Sequence, residues 1–179
     1  MPRIETDDGA RIHCVADGPS GGPPLLLSNS LGSNLTMWDR EAEALADSFF
    51  VLRYDARGHG HSDAPSGDYS IERLALDAIA VMDAFEIHRT DFMGLSMGGM
   101  IGMWIASHHP ERVGRLVLCN TAAHMGPKEL WDGRIDTALS EGMEALADAA
   151  LERWFTEPFR ADPATAATLA RVRAMVAGT

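Results

Sequence analysis

Residues 94–99 read Gly94-Leu-Ser96-Met-Gly98-Gly99, directly after the apolar run Thr90-Asp-Phe-Met93 and before a stretch of helical spacing. Glycine stands two residues to either side of the serine. A strand that turns into a helix this sharply presses its backbone against neighbouring elements, where a Cβ would collide. The serine then starts the helix, where free N–H groups and the helix dipole favour negative charge. G-x-S-x-G alone recurs by chance in many chains. Its place between an expected strand and an expected helix gives it chemical meaning. Ser96 is the candidate nucleophile, and the Met97 N–H is the candidate first oxyanion donor.

Working outward, strand-like and helix-like segments alternate. Arg3–Thr6 and Arg11–Ala16 read as strands joined by Asp7-Asp-Gly9, a hairpin turn signal. Pro24–Ser28 is a short apolar run, as expected of a strand buried on both faces. Helical spacing covers Met37–Asp47. Phe49–Tyr54 is the next strand and ends in the turn Asp55-Ala-Arg-Gly-His-Gly-His-Ser-Asp63. Ser70 is the expected N-cap of a helix over Ile71–Phe85, with Leu74, Ala78, Val81, Met82 and Phe85 on one face. Thr90–Gly94 reads as a strand, Met97–Ser107 as a helix stopped before Pro110, and Val113–Asn120 as a strand. This alternation predicts an α/β fold with a mainly parallel sheet and helices on both faces. After Pro127 only helical periodicity remains, over Glu129–Leu139, Met143–Trp154 and Pro163–Val176. The expected division is a core of residues 1–123 and a helical cap segment of residues 124–179 over the sheet's carboxyl edge.

Composition narrows the partners. The 179 residues are 46% hydrophobic and 23% charged, which suits one soluble domain with a sizeable core. A net charge of −11 repels nucleic acid and anionic membranes, so neither is an expected partner. A small anionic substrate would need a local arginine or lysine. The polar start has no apolar stretch of the secretory kind, and no apolar run reaches membrane-spanning length, so the expected location is cytoplasmic. Cys14 and Cys119 lie in separate strand-like runs and read as buried thiols, not as a disulfide.

The second oxyanion donor is expected from the loop Ser28-Asn-Ser-Leu-Gly-Ser-Asn34, with the Ser30 N–H as candidate. His59-Gly-His61-Ser-Asp63 has a spacing that can present two imidazoles and a carboxylate to zinc. Two features favour a structural turn and no metal. Ala64 stands where dinuclear zinc hydrolases place another histidine, and Gly58, Gly60 and an Asp55–Arg57 pair would account for the turn. Beyond Ser96, His108 and His109 lie at the far end of its own helix, about 15 Å or more away. They read as partners of the helix C-terminus. His124 falls in a loop leading to the cap, and Asn120 is not a carboxylate. These 179 residues are therefore expected to supply a nucleophile and an oxyanion hole but no general base.

SNSLGSN, RYDARGHGHSD, GLSMGGMIG and RLVLCNTA, in this order, resemble the α/β-hydrolase fold family. NSLGSNLTMWD, LCNTAA, LWDGRID and LERWFTEPF resemble, within it, the 3-oxoadipate enol-lactonases of the β-ketoadipate pathway. The resemblance covers essentially the whole chain. It implies a cofactor-free Ser–Asp–His triad of which only the serine maps here, and therefore a chain lacking the last two strands. It also implies a lactone substrate carrying a free carboxylate. Trp131 and Arg134, three apart on the first cap helix, would wall the pocket and pair with that carboxylate, or else be a cap-packing tryptophan and a solvated arginine. Without later strands, the Val113–Asn120 strand would be an open apolar edge. It would be covered by the C-terminal remainder as a separate polypeptide or by self-association, unless the chain is simply a shortened one. The first restores a base. A related serine carboxylesterase, a cofactor-free haloperoxidase-like hydrolase and an inactive fragment working only in a complex stay open as alternatives.

Overall fold

Residues 3–179 are described by a computed structural model. The N-terminal hairpin forms as its turn signal predicts. Strand β1 (Arg3–Glu5) pairs antiparallel with β2 (Arg11–Asp17), and Gly9 takes φ 84° in the turn. Four further strands follow: β3 (Pro24–Ser28), β4 (Phe50–Tyr54), β5 (Thr90–Leu95) and β6 (Val113–Cys119). They build one sheet in the order β1-β2-β4-β3-β5-β6. β2 meets β4 antiparallel, whereas β4, β3, β5 and β6 run parallel to one another.

Strand β3 lies in the middle, which explains its unbroken apolar run. Leu26 joins a core cluster with Phe92, Ile101 and Ala78, while Leu25 and Leu27 join another with Trp38, Ala42 and Val51. Successive residues of a strand point to opposite faces, so both faces are covered. On one face lie α2 (Ile71–Ala84) and α3 (Met97–His108), and the other cluster includes residues of α1 (Asp39–Leu45). Ser70 caps α2 by accepting from the Arg73 N–H at 3.0 Å.

The helix expected over Met37–Asp47 is instead a 3-10 turn, Leu35–Trp38, followed by α1. Asn34 is the reason, because its Oδ1 accepts from the Thr36 N–H at 3.1 Å and starts the turn two residues early. The expected Asp55–Arg57 pair does not form. Asp55 accepts from the Leu35 and His61 N–H groups and faces His13, while Arg57 goes to Asp77 and Asp8. Cys14 lies on β2 and Cys119 on β6, with three strands between them. That separation, about 19 Å at normal strand spacing, is far beyond disulfide reach.

The chain divides into two compact units, one ending at Ala123 and the other spanning His124–Thr179. The second contains α4 (Glu129–Glu141), α5 (Met143–Trp154), α6 (Glu157–Ala161) and α7 (Ala166–Ala177). Its small core is Ala147, Ala150 and Val176, and Arg173 ties α7 to Glu144 and Asp148 of α5. The helix expected from Pro163 begins as a 3-10 turn capped by Asp162, and α7 follows it. Among the described residues β6 ends the sheet, with Val117 47% and Leu118 44% exposed. No helix among them is long and apolar enough to cross a membrane.

Candidate active site

Ser96 sits between β5 and α3 with φ 53° and ψ −111°. A non-glycine residue here is strained by about 1–3 kcal/mol and persists only where its surroundings hold it. Four bonds do so. The Ser96 N–H donates to Cys119 O at 2.9 Å, and the Ser96 carbonyl accepts from the Gly99 and Met100 N–H groups and from Thr121 Oγ1–H at 2.7 Å. The side chain is left out of this network, since it does not cap the helix it begins. The Met97 N–H is among the first of that helix, where N–H groups have no intrahelical partner.

Both flanking glycines are required by close approach. A Cβ on Gly94 would collide with the Gly98 carbonyl, and one on Gly98 with the Ser28 carbonyl oxygen and, at 2.5 Å, its carbon. Four residues along, a Cβ on Gly102 would meet Phe92 and Leu116 at 2.8 Å, so this helix face lies tightly on the sheet. Gly98→Ala is expected to lower stability by about 1–3 kcal/mol through overpacking against backbone that cannot yield. Urea unfolding measures it, and an unchanged midpoint would contradict the contact.

The loop after β3 is fastened to the same helix, because the Gly98 N–H donates to Asn29 O at 2.9 Å. Ser30 is buried at 7% exposure, and its carbonyl accepts from Ser33 Oγ at 2.7 Å. Ser96, Met97 and the Ser28–Asn34 loop thus come together. Trp131 and Arg134 belong to the helical unit, where the Arg134 guanidinium stacks 4.9 Å from the Trp131 ring centroid. Trp131 Nε1–H donates to Met125 O at 3.1 Å and fixes the ring. Burial, followed by the like charge of Arg134, pushes the Arg153 guanidinium below its ordinary pKa.

The His59-Gly-His61-Ser-Asp63 side chains diverge. His59 bonds across to Gly32, His61 packs edge-on against His13 at 5.2 Å, and Asp63 pairs with Arg11. His108 stacks on Trp104 at 4.2 Å and bonds Trp104 O at the end of α3. Sequence reasoning missed Asn29, Thr121, Asp55 and His59 as supports of the site. Their contacts across the site join residues 20 or more apart in sequence, and the D-x-R-G-H run held only Asp55 and His59.

The chain belongs to the alpha/beta hydrolase fold family, whose model matches residues 23–171. Within that family it is 42% identical over 157 residues to 3-oxoadipate enol-lactonase 2 of Acinetobacter baylyi, over 88% of this chain and 59% of that enzyme. The enol-lactonase structure from Burkholderia xenovorans matches with TM-score 0.94 and 44% identity, over 99% of this chain and 68% of that one. A hydrolase structure from Pseudomonas aeruginosa matches with TM-score 0.92 and 45% identity, over 99% and 67%. The chain therefore spans 59% of the length of the first of these relatives.

Proposed function

We propose that the chain carries the nucleophile half of an enol-lactone hydrolase that converts 3-oxoadipate enol-lactone to 3-oxoadipate in the β-ketoadipate pathway. The observation that carries this reading is Ser96, held at φ 53° between two glycines with its hydroxyl left out of the local hydrogen bonds, in a chain 42–44% identical to enol-lactonases. Ser96 Oγ attacks the lactone carbonyl, and the Met97 and Ser30 N–H groups receive the oxyanion. Collapse of the tetrahedral intermediate expels an enolate, which ketonises, and water then releases the acid from the acyl-serine. An enolate leaves more readily than an alkoxide, so little is asked of the general acid. The histidine and aspartate that complete the triad come from outside these 179 residues, on a C-terminal remainder that also pairs with the open edge of β6 and covers Val117 and Leu118. The pathway assignment carries a cytoplasmic location with it.

Within the helical unit, Arg134 receives the substrate's free carboxylate, with the Trp131 ring beside it. Support comes from the guanidinium stacked on the Trp131 ring and from Arg153, whose pKa is lowered first by burial and then by the like charge of the nearby Arg134. Arg134→Ala should raise KM for the lactone about 10-fold or more, the worth of a charge-assisted hydrogen bond, with kcat little changed. An unaltered KM would remove Arg134 from substrate binding.

A related carboxylesterase is the second reading. It is favoured by the Thermogutta terrifontis esterase structure, which matches with TM-score 0.87 and 27% identity over 98% of this chain and 66% of that one. Turnover of enol-lactone against p-nitrophenyl esters decides between them. Lactone turnover by the chain joined with its remainder, and none by the chain alone, is the expected result. Faster ester turnover would favour the esterase.

A further inference from the structure

The loop after β3 is shaped by the turn after β4. The Gly32 N–H donates to His59 Nε2 at 3.0 Å, and the Leu35 N–H donates to Asp55 Oδ1 at 2.7 Å. On its other side the loop is fastened by Asn29 O to the Gly98 N–H of α3. Ser30 and Leu31 are the span between these tethers, and an N–H in this span stays aimed at an oxyanion only while both hold.

His59 can hold Gly32 in one protonation state only. Nε2 accepts, so it bears no proton. Nδ1 lies 3.0 Å from Arg57 O and so carries the single ring proton. A second proton on Nε2 would set two N–H groups against each other. We propose that neutral His59 is a positioning residue for the oxyanion loop, fixing the Ser30–Leu31 span through Gly32 and releasing it when protonated. The proposal rests on the Ser96 hydrolase reading.

The surroundings keep His59 neutral. Burial pushes its pKa below the ordinary 6.5, against the pull of its bond to Arg57 O and of the Asp55 carboxylate. Asp55 is itself engaged by His13 and two backbone N–H groups. The Arg57 guanidinium turns to Asp77 and Asp8, His61 packs on His13, and Asp63 pairs with Arg11. Residues 29–35 bring no titratable side chain.

NMR on the 179-residue chain tests this without turnover. The expected result is an Nδ1–H tautomer at His59, titrating below 6.5, with the Gly32 amide shift moving at the same midpoint. An Nε2–H tautomer, or a Gly32 amide indifferent to His59, would overturn the proposal. In the hydrolytically active form, His59→Ala should lower kcat about 10- to 100-fold, less than loss of a donor itself, and leave KM nearly constant. His59→Gln, whose amide oxygen can accept from Gly32, should recover most of kcat and lose the lowest inflection of the acid limb. Wild-type kcat and acid limb in both variants would also overturn it. If Ser96→Ala left hydrolysis intact while the His59–Gly32 titration appeared as expected, the hydrolase reading would fail and the tether would stand.

Discussion

Under the proposed lactonase mechanism, Ser96→Ala is expected to lower kcat about 10⁴- to 10⁶-fold, measured in a form completed by the proposed C-terminal remainder. Loss of a triad serine removes the covalent route entirely, and what survives is the smaller contribution of the oxyanion hole and substrate binding. The fold should be indifferent. The four bonds that hold this turn use the Ser96 backbone, and alanine keeps both the Cβ and the strain at φ 53°. Ser96→Gly separates the two properties, because glycine takes positive φ freely. It should be as inactive as alanine yet equal or better in stability, by up to about 1 kcal/mol. A Ser96→Ala protein that keeps a tenth of its activity would mean that water, not serine, attacks the carbonyl.

The parts of this architecture visible in sequence are those written in local periodicity. The alternation that predicts a mainly parallel sheet returned β3 with its bounds unchanged and β5 and β6 within a residue of expectation. Glycine spacing around Ser96 also spoke plainly, since Gly94 and Gly98 each answer a backbone contact. Ion-pair partners did not. Asp55 and Arg57 are two residues apart, and proximity in sequence suggested a pair. The chain is leaving β4 at that point, so the two side chains go to different layers. Asp55 meets Leu35 and His13, and Arg57 meets Asp77 of α2 and Asp8 of the hairpin. Helix α6, five residues long and opening on Glu157-Pro158, was missed because a helix of one turn leaves no periodic signal.

That misread arginine leads to the largest expected effect on stability. Arg57 and Asp77 are 3% and 1% exposed and joined by two bonds of 2.6 Å. Asp77→Ala should destabilise the protein by about 3–5 kcal/mol, because it strands a guanidinium that cannot shed its charge. For a chain of this size, Tm should fall by roughly 6–20 °C. Asp8 supplies only partial relief, being the more exposed partner. Replacing both residues with apolar ones, as in Arg57→Met with Asp77→Leu, should recover much of the loss, since an absent pair strands nothing. Acidification should act on the same corner with a definite sign. Hydrogen bonding by Arg57, then by Thr6, holds the Asp8 carboxyl well below its ordinary 3.8, so its contribution is present above that value and lost as pH falls through the lowered one. His59 is also depressed, so the unfolded chain takes up its proton first and stability starts to fall below about 6.5. His59 Nδ1–H bonds the Arg57 carbonyl, and Nε2 holds Gly32, so disorder at Arg57 should reach the Ser28–Asn34 loop, the proposed oxyanion loop. Asp77→Ala should therefore lower kcat even at temperatures where the protein is fully folded. If Tm fell while kcat below the transition stayed at the wild-type value, the Arg57 corner would support the fold alone, and the oxyanion loop would owe its position to Asp55 and Asn29.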